Sequence, residues 1–223
     1  MPIYKLGEKP MFPSGNLAEK DGLIAFGGKI TVDFIIEAYS NGIFPWYNND
    51  EPILWWCPNP RTVFFVNEIH ISKSMKKLIK SQKYKITFDT AFDKVIENCK
   101  NTRKETWINE DIIKVYSELY KLGLAHSVEV WDNNKLIGGL YGLCLGKVFF
   151  GESMFSLEPN TSKLALISLG NFLNKEDFRI IDCQVHNEHL ESLGAIEIGR
   201  REFLRILRED IVKKQKFYKW IYM

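Results

Sequence analysis

AHSVEVWDNNKLIGGLYGLCLGKVFFGESMFS, residues 125–156, is the stretch that decides the fold. It holds two runs rich in β-branched, aromatic and aliphatic residues, 126–131 and 135–144. They are joined by the turn formers Asp132, Asn133 and Asn134. A second turn at Gly146 leads into a third run, 148–153. Short apolar runs separated by Asn, Asp and Gly predict strands linked as an antiparallel meander. Downstream, Leu164, Leu166, Ile167 and Leu169 predict a helix over 162–173. A buried strand follows at 179–184, then a short helix at 188–193 stopped by Gly194, and a last strand at 195–199.

Upstream, Thr31 is placed to cap a helix reaching about Asn41, with Phe34, Ile35, Ala38 and Tyr39 on one face and Gly42 as its stop. FPWY (44–47), a polar turn (48–52) and ILWWCPNPR (53–61) follow. Two prolines within three residues end any regular element there, so a domain boundary is expected near Arg61. Beyond it the pattern predicts a strand at 62–66, a basic helix at 72–81, a strand at 85–88, and helices at 92–101 and 110–122, the last closed by Gly123. Residues 210–216 form a basic tail. The expectation is an α+β protein with a small N-terminal α/β domain (1–61) and a larger domain (62–223). The element order of that larger domain fits the GNAT-like acyltransferase fold of N-acetyltransferases. A fold alone assigns no function.

The chain has 223 residues, 45% of them hydrophobic, with 15 Phe, 9 Tyr and 6 Trp. That composition supports a large core and argues against disorder. Net charge is only +2, but between Ile71 and Lys85 stand Lys73, Lys76, Lys77, Lys80, Lys83 and Lys85 without an acid. Such a run is either a solvated helix face or a set of phosphate contacts. Cys57, Cys99, Cys144 and Cys183 form no CxxC pair and read as reduced thiols. No export signal is visible and no apolar run approaches the roughly 18 residues of a membrane span, so the location expected is the cytoplasm.

Asp182 and Gln184, at i and i+2 of a predicted strand, would share a face, with Cys183 opposite. They are either a hydrogen-bonded core pair or a polar pair able to orient an attacking amine. Glu152 is a lone acid among Phe149, Phe150, Met154 and Phe155. It is either functional or turned to solvent. Trp46, Trp107, Tyr39 and Tyr116 could stack on a base or simply pack. Cys183, His186 and His189 have a metal-like spacing but lack a fourth ligand, and a strand-to-helix layout would scatter them. Cys183 as a nucleophile is disfavoured by its expected core-facing direction. Acetyl-CoA is disfavoured because no glycine turn precedes the helix at 162–173.

Nine segments in register are similar to the leucyl/phenylalanyl-tRNA–protein transferase family. They include DGLIAFGG (21–28), EAYSNGIFPWY (37–47), ILWWCPNPR (53–61), FFGESMFS (149–156), IDCQ (181–184) and HLESLGA (189–195). The resemblance covers roughly residues 12–204. It implies a cytosolic monomeric enzyme that moves Leu or Phe, and Met as a further donor, from aminoacyl-tRNA to proteins with N-terminal Lys or Arg, marking them for N-end rule degradation. It makes Asp182, Gln184 and Glu152 the catalytic polar groups. Leu140, Phe149, Leu166, Leu173 and Ile181 become the donor side-chain pocket. Trp46 and Trp107, with Tyr39 and Tyr116 as further candidates, contact the tRNA 3′ end, and the lysines of 71–85 its phosphates. No metal or nucleotide cofactor is implied, because the ester is already activated. Two positions depart from the family's usual pattern. Cys57 stands where Ser is usual, and Leu140 stands where Met is frequent.

Overall fold

The computed structural model describes residues 3–48, 50–103, 106–213 and 220. Part of the basic tail expected at 210–216 therefore lies outside the described residues. The meander is present as β7 (Ala125–Asp132), β8 (Lys135–Leu145) and β9 (Val148–Ser156), antiparallel in sequence order. β6 (Lys85–Phe88) pairs with β7 at one edge. On the other side, β10 (Ile180–Asp182) runs parallel to β9, and β5 (Arg61–Phe65) and β11 (Ile196–Ile198) complete a seven-stranded sheet ordered β11-β5-β10-β9-β8-β7-β6.

A parallel neighbour needs a crossover, and α5 (Thr161–Lys175) supplies it. Ten of its fifteen residues are buried, so it lacks a polar face wide enough to show a strong amphipathic pattern. Its start lies on β8: a Cβ at Gly138 would come within 2.4 Å of the Thr161 hydroxyl. The glycines inside β8 thus mark where other chain segments come close. α5 and α2 (Lys73–Ser81) cover one face of the sheet. The other carries α3 (Phe92–Asn101) and α4 (Glu110–Lys121). Side chains of β8 sort accordingly. Tyr141, Leu143 and Leu145 enter the core on the α3/α4 side, and Leu140 and Cys144 enter the core under α5.

The N-terminal segment forms a second, four-stranded sheet, β1-β2-β4-β3, from Tyr4–Leu6, Leu23–Gly27, Phe44–Pro45 and Leu54–Trp56. α1 (Val32–Ser40) begins after Thr31, which has the expected extended N-cap backbone, but its side chain accepts no capping hydrogen bond. Trp55 is fully buried, stacks on Phe34 and donates its indole N–H to Gly27 O at 2.9 Å. One buried cluster joins this sheet and α1 to the α3/α4 face of the larger sheet. The joint also uses α7 (Arg200–Ile211), an element the sequence reading did not anticipate; it buries Phe203, Leu204, Ile206 and Leu207 at helical spacing.

The predicted strand at 179–184 is shorter than expected. It ends at Asp182, because Gln184 takes a left-handed backbone with φ 61°. β9 carries a bulge. Tyr141 faces Ser153 and Gly142 faces Gly151, so Glu152 is the extra residue. Gly142 makes this possible, since a Cβ there would sit 2.2 Å from Phe150 O and 2.5 Å from the Phe149 ring. We expect Gly142→Ala to destabilise the fold by about 1–3 kcal/mol, the usual cost of overpacking a tight core. Urea denaturation checks it, and an unchanged midpoint would show that the strand pair can spread.

Candidate active site

β9 and β10 pair only over Val148–Phe150 against Ile180–Asp182. Beyond Phe150, β9 continues to pair with β8 while β10 turns away. The sheet opens between the two strands at their C-terminal ends, a common place for a ligand in sheets with parallel strands. A cavity of about 520 Å³ occupies the opening. That size suits a small-molecule or aminoacyl moiety.

One wall is apolar: Leu140, Phe149, Leu166, Leu169, Ile181 and Phe64. Four of the five expected pocket residues are therefore gathered there. Leu173 is not. It is fully buried in the core beneath α5 and does not line the cavity. The opposite wall brings Tyr141, Glu152, Ser153, Phe155, Arg103 and Trp107. The bulge explains this split. Before it, Phe150 faces the α3/α4 core and Phe149 the α5 core; after it, Phe155 and Met154 have exchanged parity. Glu152 sits at the exchange, so its carboxyl is aimed across the opening.

Glu152 Oε1 is buried without a hydrogen-bond partner. Burial raises the Glu152 pKa to about 8. Hydrogen bonding from Tyr39 and Tyr116 opposes the rise, the Asp182 charge adds to it, and the Arg61 charge opposes it. Tyr39 and Tyr116 are corrected here as base-stacking candidates. Both are buried, the Tyr116 hydroxyl donates to the Tyr39 hydroxyl at 3.1 Å, and neither lines the cavity. They form the support beneath Glu152. Trp46 and Trp107 do line the cavity. Trp46 stands 49% exposed at the rim, its carbonyl held by the Trp56 indole N–H at 2.7 Å.

Asp182 is fully buried and stands behind the cavity, not in its lining. Arg61 Nε donates to Asp182 Oδ1 at 2.8 Å and Nη2 to Oδ2 at 2.6 Å. Burial works against the Arg61 charge, but the Asp182 charge and hydrogen bonds more than offset it and raise the Arg61 pKa. Asp182 Oδ1 also accepts the Gln184 backbone N–H at 3.1 Å. Gln184 lines the cavity. Oriented to satisfy its neighbours, its amide nitrogen donates to Gly151 O and Cys183 O, both at 3.1 Å. The expected strand-face alternation thus fails at this point, because β10 has already ended. Cys183, expected to face away, lines the cavity, and burial holds its thiol far above the ordinary range.

The α2 lysines Lys73, Lys76, Lys77 and Lys80, together with Lys83, are exposed. Met75 anchors α2 in the core beneath α5, the same core that forms the apolar wall. Among the described residues no group of three His, Cys, Asp or Glu is arranged to hold a metal ion. The sequence reading missed Arg61 as a site residue, although a charged residue opening a buried strand was the available signal. Arg103, Phe64, Leu169 and Tyr141 carried no such mark.

Comparison with known proteins fits the arrangement. The family profile for leucyl/phenylalanyl-tRNA protein transferase matches residues 63–208, and that for the same family's N-terminal domain matches residues 28–59. A leucyl/phenylalanyl-tRNA–protein transferase of Syntrophobacter fumaroxidans is 47% identical, over 95% of this chain and 92% of its own length. One from Flavobacterium johnsoniae is 48% identical over 92% and 99%, and one from Shewanella baltica 50% over 89% and 86%. With both profiles matched in chain order and near-half identity along almost the full length of these relatives, the chain belongs to the leucyl/phenylalanyl-tRNA–protein transferase family and is an aminoacyl-tRNA–protein transferase.

Proposed function

We propose that the protein transfers Leu or Phe, with Met as a further donor, from aminoacyl-tRNA to the α-amine of proteins bearing N-terminal Lys or Arg. On this reading it works as a monomer in the cytoplasm and marks its products for degradation through the N-end rule pathway. One observation carries the proposal: a single cavity opposes a purely apolar wall to a buried carboxylate with an unpartnered oxygen. The apolar wall takes the donor side chain. Trp46 and Trp107 stack near the terminal adenosine, with the exposed lysines on the acceptor-stem phosphates. Such contacts position the RNA without reading its sequence.

The acceptor amine attacks the ester carbonyl. The new C–N bond forms as the carbonyl π electrons move to oxygen; the nitrogen gives up one proton, and collapse of the tetrahedral intermediate breaks the C–O bond and expels the tRNA 3′-oxygen, which takes up a proton to leave as the free 3′-hydroxyl. Glu152 meets the positive charge carried by the acceptor's N-terminal Lys or Arg, while the attacking α-amine itself is neutral, and the Gln184 amide orients the reacting groups. Asp182 contributes from behind, through Gln184. We further place a domain boundary near Arg61 and assign the larger domain to the GNAT-like acyltransferase architecture. The meander, the α5 crossover and the parting of two parallel strands support that assignment.

The direct test is transfer of labelled Phe from Phe-tRNA to a protein with N-terminal Arg, with the same protein bearing N-terminal Ala as control. Transfer confined to the Arg protein, and reduced at least tenfold by Glu152→Gln or Gln184→Ala, is expected. Equal labelling of both acceptors, or none, would sink the reading. The aromatic assignments are separable. Trp46→Ala should raise KM for Phe-tRNA by about 5- to 150-fold, the worth of one stacked base. Tyr39→Phe should leave KM unchanged, and an equal rise would contradict its buried role.

Glu152 also links the site to stability. Its folded pKa of about 8 lies above the ordinary 4.5, so the folded state binds the extra proton between those values. The stability it contributes is greatest at low pH and falls as pH rises towards 8. Glu152→Gln should therefore gain stability relative to wild type between pH 5 and pH 8, measured by urea titration. A constant difference would place this carboxyl in the ordinary range.

A further inference from the structure

Arg61 is fully buried, and each of its three guanidinium nitrogens has an assigned partner. Nε and Nη2 bind the two oxygens of Asp182, and Nη1 donates to Gly42 O at 3.1 Å. The guanidinium carbon lies 4.8 Å from the centre of the Phe44 ring and 4.5 Å from that of Phe203. One side chain thus ties the N-terminal sheet (Gly42, Phe44), α7 (Phe203) and the end of β10. Phe44 itself lines the cavity.

The Asp182 it holds is the residue that fixes the turn into the site. Its Oδ1 accepts the backbone N–H of Gln184, whose left-handed conformation (φ 61°) aims the amide at Gly151 O. A non-glycine residue at positive φ persists only where its surroundings enforce it. Here the Asp182 carboxylate is an enforcing contact, beside the Thr62 backbone N–H that donates to Gln184 O at 3.3 Å, and Arg61 holds Asp182.

Resting on the transferase reading proposed above, we infer that Arg61 is a positioning residue for the transfer reaction: its bidentate grip turns Asp182 into a rigid anchor that holds the Gln184 amide in the cavity. Asp182 then serves as an anchor, because both of its oxygens are engaged by the guanidinium fork. A bidentate fork matters here, so lysine is not an equivalent substitute.

Two variants test this in the Phe transfer assay. Arg61→Lys keeps the charge and removes the fork. We expect kcat to fall about 10- to 100-fold, the scale on which a misplacement of about 1 Å acts, with KM for Phe-tRNA within about twofold of wild type. If Asp182 instead relayed protons, freeing one of its oxygens would leave kcat unchanged or higher, and the inference would be overturned. Arg61→Met combined with Asp182→Leu replaces the buried pair with apolar residues of similar bulk, an exchange that folded proteins often tolerate. With a wild-type denaturation midpoint, it should still lose at least tenfold in kcat. Wild-type turnover in this folded variant would make the pair merely structural. Should the double variant fail to fold, the kcat and KM of Arg61→Lys decide alone. Failure of wild type to transfer Phe would strike the proposed function instead, whereas wild-type transfer with undiminished Arg61→Lys turnover strikes only this inference.

Discussion

Two parallel strands that pair for three residues and then part create a problem that the rest of the site answers. Backbone groups lining the gap lose their ladder partners, and a buried unpaired carbonyl is costly. The structure replaces the missing ladder with a side chain: the Gln184 amide reaches Gly151 O where β10 backbone would otherwise have stood. The cavity therefore exists because the gap is held open by a polar bridge and not filled by core. The bulge at Glu152 belongs to the same solution. It turns one extra residue of β9 towards the opening without disturbing the side-chain order of β8 across from it. Gly142, paired with Gly151 beside the bulge, leaves the space this requires.

The same low-dielectric setting treats its two acidic groups differently. Asp182 sits against a guanidinium with both oxygens matched, an arrangement in which mutual attraction and hydrogen bonds offset desolvation. Glu152 lacks a partner of that kind. Phenolic hydroxyls of Tyr39 and Tyr116 soften its burial but do not cancel it, and its pKa rises to about 8. A cation brought against such a carboxyl favours its charged form. On the proposed reading, an incoming cation stabilises the very state that binds it. Asp182, already paired, has no comparable response to a ligand.

Much of this was legible in the sequence, and the boundary of legibility is physical. The meander was readable because Asp132, Asn133, Asn134 and Gly146 punctuate runs that have no helical period. Its hairpins fall on those residues. α7 went unread because six of its first ten residues are charged and its N-cap is Gly199, so the Phe203–Leu207 stripe carried the only signal. The N-terminal strands span two to five residues, too short for periodicity to speak. Asp182 and Gln184, expected to share a face, do not: Gln184 lines the cavity and Asp182 stands behind it, since alternation governs only residues inside a strand and β10 ends at Asp182. The stacking candidates divide in the same way. Composition marks Tyr39 and Trp46 alike, but only tertiary packing buries the first and leaves the second at the rim. The bulge at Glu152 has no sequence mark at all.

Selectivity in such a site has to be asymmetric between its walls. The apolar wall can sort donors only by fit, and a methylene gained or lost in an apolar pocket is worth about 1–3 kcal/mol. Leu140, with fewer rotatable bonds than a Met would have, gives this wall a stiff element on the β8 side. The wall that carries Glu152 works on a different scale. A neutral group brought against the Glu152 carboxyl leaves it buried and unmatched, whereas a cation satisfies it, and unmatched buried polar groups discriminate far more sharply than surplus methylenes. On the proposed reading, a sheet that opens between an apolar helix face and a buried carboxylate is tolerant of the donor side chain and strict about the charge of what meets it.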